Sequence, residues 1–209
     1  MTSPQFITLE GGEGTGKSTQ AKRLAAKIRE RRISTVVPRE TSRSKGAEQI
    51  RDLFVHGAPG RWSALTETLL VFAARVDHVE KTIRPALASG KWVICDRFAD
   101  STYAYQCAAR GTDREIIRRV QSAAIGDFKP ALTLVLDLPV AVGLERAKVR
   151  PGSENRFEKF DTEFHEKLRR AFIDIARRNG DRCVLLDAAG SEDDVAELIW
   201  QTVVKRFTL

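Results

Sequence analysis

Cysteine is scarce in this sequence: Cys95, Cys107 and Cys183 are the whole complement. An odd number without a C-x-x-C pair excludes both a disulfide framework and a thiolate zinc site. The three read as small, buried apolar residues of a reducing compartment, with a reactive thiol as the alternative. Long apolar runs are missing too. None approaches the length needed to cross a bilayer, and no charged-then-apolar leader opens the chain, so the expectation is a cytoplasmic protein with no membrane partner. Internal repeats, low-complexity tracts and Pro/Gly/Ser linkers are also lacking. The 209 residues are therefore expected to form one domain, residues 1–209. Nor is charge gathered into a block: the net charge of +7 is spread along helix-like stretches. The surplus admits a nucleic-acid partner, but an anionic small-molecule substrate explains it equally well, and no clustered basic face points to nucleic acid.

Against these absences stands one dense stretch, Gly11-Gly12-Glu13-Gly14-Thr15-Gly16-Lys17-Ser18-Thr19. It follows the apolar run Phe6 to Leu9 and opens into helical apolar spacing at Leu24, Ala25 and Ile28. That context fits a phosphate-binding loop, whose glycines let successive backbone N–H groups converge on phosphate oxygens at a helix start. The positive end of the helix dipole falls at the same spot. Lys17 then reaches the β and γ phosphates, and the Ser18 hydroxyl is a ligand for Mg²⁺. The loop predicts binding of a nucleoside triphosphate and leaves the phosphate acceptor open.

Strand-like runs recur at Phe6 to Leu9, Thr35 to Val37, Trp92 to Cys95, Leu132 to Leu136 and Cys183 to Leu186, separated by helical stretches. Such alternation predicts an α/β fold of the P-loop NTPase type in three layers, a five-stranded parallel sheet flanked by helices. Ligands on such a sheet sit beyond the carboxyl ends of its strands. The residues there are Arg39-Glu40 after the second run and Asp96-Arg97 after the third. Asp96 is preferred over the rival Asp137 as a metal-side carboxylate because Arg97 joins a phosphate-side cation to it. On the long helical stretch Ser63 to Ala88, Arg75 and His78 share a face, and Arg75 is a candidate to grip a phosphate. Phe72 alone reads as core. Arg146, Lys148, Arg150 and Arg156 surround a Pro-Gly turn and suggest a mobile basic lid over about residues 146–157. Phe157 to Arg178 and Asp193 to Phe207 read as amphipathic helices covering the sheet.

With the loop, Arg39-Glu40, Arg75 to His78 and Asp96-Arg97-Phe98 in hand, the chain resembles the thymidylate kinases, nucleoside monophosphate kinases of the P-loop class. The stretch His78 to Arg110 carries the resemblance most specifically. Thr133 to Ala147 and Asn155-Arg156-Phe157-Glu158 extend it over nearly the whole chain. It implies transfer of the γ-phosphoryl group of ATP to dTMP, giving dTDP and ADP for dTTP biosynthesis, with Mg²⁺, in a homodimer.

Residue by residue, the resemblance puts Gly11 to Thr19 and Arg146 at ATP, and Ser18 and Asp96 at the metal. Glu13 goes to the sugar hydroxyl or metal-water side of dTMP, and Arg39, Arg75 and Arg97 to its phosphate, next to Glu40. Ser101 and Thr102 fall near the thymine ring, Tyr105 against the sugar, and Gln106 in the same motif. The loop lacks the internal Arg of one form of the family, so the other form applies, in which the lid supplies transition-state cations. Arg146, Arg150 and Arg156 are the candidates, and Lys17, Glu13, Arg97, Arg150 and Arg156 make up the expected catalytic set. Chemistry agrees, because a phosphate monoester with a second pKa of about 6 is already a dianion and needs no general base. What it needs is neutralisation and alignment.

Two departures stand out. Thr41-Ser42-Arg43-Ser44 replaces the usual Pro-Gly-Gly-Thr, and Val71 stands four residues before Arg75 where the family stacks a Phe on the base. Either a helix irregularity brings Phe72 to the base or Val71 makes the contact, and Phe72 is the substrate-binding residue expected here. The rival readings are a deoxynucleoside kinase with Glu40 as base, and a nucleotide-dependent binding protein.

Overall fold

The computed structural model describes residues 3–38, 45–58, 60–149 and 156–209. Five short apolar runs become strands: β1 (Phe6–Glu10), β2 (Thr35–Val36), β3 (Trp92–Asp96), β4 (Leu132–Asp137) and β5 (Cys183–Asp187). They form one all-parallel sheet in the order β2-β3-β1-β4-β5. β1 is buried along its full length because helices cover both faces, which is why it reads as continuous apolar sequence instead of alternating. The alternation survives in what each face meets. Ile7, Leu9, Ile94, Leu134 and Leu136 pack together on one side, whereas Phe6, Val93 and Cys95 pack on the other with Phe98, Val79 and Ile83.

Nine α-helical segments connect the strands among the described residues: α1 (Lys17–Glu30), α2 (Lys45–Val55), α3 (Ala64–His78), α4 (Arg84–Ala88), α5 (Ala99–Thr102), α6 (Arg114–Ile125), α7 (Val140–Lys148), α8 (Thr162–Arg178) and α9 (Glu192–Phe207). In α1, Ala21, Leu24, Ala25 and Ile28 make the buried stripe at i, i+3, i+4 and i+7. Beside it lies α9, fixed at its start by a reciprocal cap in which Ser191 and Asp194 satisfy each other's backbone N–H groups. No described helix is long and apolar enough to cross a membrane.

The expected helix from Ser63 to Ala88 is present but not uniform. Ser63 caps it, its Oγ accepting from Thr66 N at 3.1 Å, and the path runs through a π-helical turn, Val79–Ile83, into α4. Pro85 accounts for the wider turn: it has no N–H to donate, and its ring crowds the carbonyl four residues earlier. The expected helix from Phe157 to Arg178 is broken. A 3₁₀ turn, Phe157–Lys159, ends before Asp161, whose carboxylate accepts from Phe164 N at 2.8 Å and starts α8 afresh. Of the cysteines, Cys95 and Cys183 are buried as expected, while Cys107 is half-buried. Burial pushes the Cys183 thiol up to about 12.

The sheet order places the site. From β1 the chain builds outward to β3 and β2 on one side and to β4 and β5 on the other, so a crevice opens beyond the carboxyl ends of β1, β3 and β4.

Candidate active site

Glu10, Asp96 and Asp137 end the three central strands, and each carboxylate is engaged differently. Asp137 accepts two bonds from Arg169, at 2.7 and 3.0 Å, and is spent on that pair. Asp96 accepts from Ser18 Oγ at the start of α1. The Ser18–Asp96 pair thus joins the phosphate loop to β3. Both offer hard oxygens of the kind a small divalent cation takes. Among the described residues no cluster of three or more acidic, His or Cys side chains is built to hold a metal, so such an ion would also need phosphate oxygens and water.

The loop between β1 and α1 is set by close backbone approach. Gly14 has φ +69°, and a Cβ there would lie 1.9 Å from the Gly143 carbonyl oxygen; a Cβ on Gly143 would in turn lie 2.5 Å from the Glu13 oxygen. Helix α7 is therefore pressed directly on the loop. Lys17, almost fully buried, folds its Nζ back onto Gly12 O at 2.5 Å and Thr15 Oγ1 at 3.1 Å. Burial, then Arg97, pulls the ammonium down to about 8, against the opposing pull of Glu13, Asp96 and Glu10. A triphosphate beside it adds negative charge and lifts that value. Nucleotide binding near pH 8 is thus expected to take up roughly half a proton at Lys17, and apparent affinity is expected to fall as pH rises above 8. Calorimetry in two buffers of different ionisation heat measures the uptake; identical heats contradict it.

Arg97 is the hub between loop and acceptor side. It is a non-glycine residue at φ 72°, held there by its backbone N–H to Leu9 O at 2.9 Å. Its guanidinium donates to Gly11 O at 2.9 Å, Ser101 Oγ at 3.3 Å and Glu13 Oε1 at 3.1 Å, and lies over the Tyr105 ring. Burial works against its charge, but Tyr105, Glu13, Asp96 and Glu10 outweigh burial and raise its pKa. Tyr105 donates to Glu13 Oε1 at 2.5 Å; burial and that bond push the phenol well above its ordinary value, so it remains a donor. Beneath this group sits Glu10, fully buried, which accepts from Phe98 N at 2.7 Å and Ser101 Oγ at 2.6 Å.

A cavity of about 660 Å³ takes in Glu13 to Gln20, Asp96, Arg97 and Arg146, and reaches past Ser101, Thr102 and Tyr105 to Val71, Arg75, Gln106, Phe54 and Phe157. Thr15 sits on its wall with Lys17 and Thr19. Arg75 is fully buried otherwise, donating to Thr102 Oγ1 at 2.9 Å and Phe98 O at 3.1 Å, with Phe72 and Phe98 against its guanidinium. Arg146 donates to Ala188 O at 3.2 Å, beside the β5-to-α9 loop that walls the far end.

Several sequence expectations are corrected by this geometry. α3 is a regular α-helix through Phe72 and Arg75, and the irregularity begins only at Val79. Val71 accordingly lines the cavity, whereas Phe72 is buried under Arg75 and does not. Val71→Ala is therefore expected to raise the KM of the acceptor and, since Val71 also packs with Phe54, Val55 and Ala74, to cost less stability than Phe72→Ala, which should cost about 3–5 kcal/mol. Acceptor KM and thermal melts of both variants separate the two. Arg75, expected as a phosphate ligand, donates to Thr102 and Phe98 between two rings and lines the same cavity as the loop residues. Arg156 is not a cation on the cavity wall. It is buried, donating to Ala58 O at 3.0 Å, Phe54 O at 2.8 Å and the carboxylate of Glu67, because a buried Glu67 demands a cationic partner. Arg39, Glu40 and Arg150 lie outside the described residues, as do Thr41 to Ser44. Glu10, Glu67 and Gly143 were missed from sequence. Glu67 carried a signal, since positions 67, 71, 75 and 78 share one face of α3 and a lone acid among them is buried with the rest.

A five-stranded parallel sheet with a phosphate loop between β1 and α1, a Ser–Asp oxygen pair beside it and arginines facing it defines a P-loop nucleotide-binding protein equipped for phosphoryl transfer. Comparison with known proteins narrows the class. The family model described as Thymidylate kinase matches residues 9–199, and the chain belongs to the thymidylate kinase family. Among curated relatives, it is 50% identical to "Thymidylate kinase" of Caulobacter vibrioides over 209 residues, all of both chains. It is 50% identical to "Thymidylate kinase" of Afipia carboxidovorans over 204 residues, 97% of this chain and 90% of that one. For that of Rhodopseudomonas palustris the figure is 49% over 203 residues, 95% and 88%.

Proposed function

We propose that this chain is an ATP-dependent thymidylate kinase, transferring the γ-phosphoryl group of ATP to the 5′-phosphate of dTMP to give dTDP and ADP. The observation that carries the reading is one cavity lined both by Lys17, Ser18, Asp96 and Arg97 and by Val71, Arg75, Thr102 and Gln106. Two nucleotides are thereby set head to head. The loop residues Gly11, Gly12, Glu13, Gly14, Thr15, Gly16, Lys17, Ser18 and Thr19 take the ATP phosphates. The loop after β5, with Arg146, borders the end where the nucleoside of ATP lies.

Arg97 faces both halves and holds the acceptor phosphate against the repulsion of the donor. Glu13 and Tyr105 fix Arg97 and meet the sugar side. Arg75, with Thr102 and Gln106, offers hydrogen bonds at the base end, a better use of its position than phosphate binding. Ser18 and Asp96 would hold Mg²⁺ together with phosphate oxygens and water. When bound, that ion neutralises charge on the transferring group and orients it. Because the acceptor is already anionic, none of these side chains has to remove a proton. A neutral nucleoside would bring Arg97 no anion beyond Glu13, which disfavours the deoxynucleoside kinase reading.

Arg150 and Arg39, by resemblance, complete the lid and the acceptor phosphate site, with Glu40 alongside. A homodimer is in keeping with Leu65 and Leu69, exposed one turn apart on α3, and with exposed Ile116 on α6, which packs beside α3. The reading also places the protein in the cytoplasm, as one catalytic domain. Mixing enzyme, Mg²⁺, ATP and dTMP tests it: dTDP and ADP should form one for one, with chelation of the metal stopping both. ADP without dTDP would overturn it.

A further inference from the structure

Glu67 is fully buried, and three side chains from outside α3 converge on its carboxylate. Gln106 Nε2 donates to Oε1 at 2.7 Å. Arg156 donates to Oε2, and Arg110 Nη1 stands 2.7 Å from that oxygen, off the line a hydrogen bond needs. The two guanidiniums supply the positive charge that a buried carboxylate requires. A carboxylate can only accept, so it fixes which way the Gln106 amide points. The NH₂ group is turned to Glu67. Oε1, which accepts from no side chain or backbone among the described residues, is left on the side where Gln106 lines the cavity.

We propose that Glu67 is a positioning residue for base discrimination: it locks the Gln106 amide with its carbonyl oxygen toward the acceptor pocket. The inference rests on reading that pocket as the base end of the acceptor site. A pocket so set accepts a ring N–H, and its neighbour Arg75 donates to an adjacent ring carbonyl. Thymine presents that pair, N3–H beside the C4 carbonyl. Cytosine presents the opposite pair, a ring nitrogen lone pair beside an amino group. Against cytosine two lone pairs and two sets of N–H donors would face each other, and unpaired buried groups of this kind make for strong rejection. Arg156 and Arg110 act one step further out, by keeping company with the charge that holds the amide.

The test compares kcat/KM for dTMP and dCMP in the wild type, Glu67→Gln, Gln106→Leu and the double variant. A glutamine at 67 can present either end of its amide, which frees Gln106 to flip. Glu67→Gln is expected to reduce the dTMP-over-dCMP preference at least about tenfold, by raising KM for dTMP and lowering it for dCMP, with KM for ATP held. Gln106→Leu should lose preference to a similar degree, and the double variant should lose no more than Gln106→Leu, because both act through one amide. A folded Glu67→Gln enzyme that keeps the full preference, while Gln106→Leu loses it, overturns the proposal and leaves the base pocket standing. Full preference in Gln106→Leu overturns both. Should Glu67→Gln fail to fold, Glu67→Asp carries the test. It keeps the charge for Arg156 and Arg110 but draws the oxygens back by one methylene, and retention of full preference there contradicts the proposal equally.

Discussion

Lys17→Ala is expected to lower kcat by about 10³-fold or more, the range that a single cation directed at the transferring phosphoryl group supplies in related reactions. Lys17 is the cation of the loop, almost fully buried and resting on Gly12 O and Thr15 Oγ1. Its pKa is drawn down to about 8 mainly by burial, so the ammonium is under-solvated where it rests and a polyphosphate supplies the missing negative charge. On the proposed reading the acceptor is held by Arg75, Arg97, Thr102 and Gln106 instead, so KM for dTMP should change far less than kcat. Steady-state kinetics with both substrates varied, together with dTMP titration of the variant, separate the two effects. A variant with near-normal kcat would remove the loop from the chemistry.

Arg97→Ala is the second large effect, expected at about 10²–10³-fold in kcat/KM, as for loss of one preorganised donor to developing charge. Three further consequences are built into its position. Arg97→Lys should rescue little, because one ammonium cannot span Gly11 O, Ser101 Oγ and Glu13 Oε1 while stacking on Tyr105. Losing the guanidinium also removes the ion pair between Arg97 and the half-buried Glu13 carboxylate, so a lower melting temperature should accompany the lost activity. And since residue 97 holds φ 72°, Arg97→Gly should be more stable than Arg97→Ala by up to about 1 kcal/mol although equally inactive. Thermal melts and initial rates on the three variants read all of this. An Arg97→Ala enzyme with intact kcat/KM would place the acceptor phosphate elsewhere.

The strands and the loop were legible in sequence because each rests on a local pattern. A strand buried on both faces leaves a short apolar run, and backbone approach at Gly14 tolerates no Cβ. Asp96 could be preferred to Asp137 from its neighbour alone, and the structure shows why the alternative is spent: Arg169, thirty-two residues on, takes both of its oxygens. What could not be read is pairing across long separations. Arg156 was expected to be a lid cation from the charge around Pro151 and Gly152 together with the family resemblance, and neither reveals a partner far away in the sequence. Its actual partner, Glu67, is eighty-nine residues away in sequence. The same holds for Glu10, whose role depends on Phe98 and Ser101 folding over the end of β1. The phase of α3 was a closer matter. An irregular turn was expected to bring Phe72 to the base, but the helix is regular through these residues and it is Val71 that lines the cavity.

The most direct measurement is the rate of ADP release with Mg²⁺ and ATP, comparing dTMP, dUMP, dGMP, AMP and thymidine at equal concentration. The account predicts turnover led by dTMP and none with thymidine, since Arg97 requires an acceptor that carries a phosphate. Turnover of thymidine in preference to every monophosphate would contradict it and assign the acceptor side a base instead of a phosphate clamp.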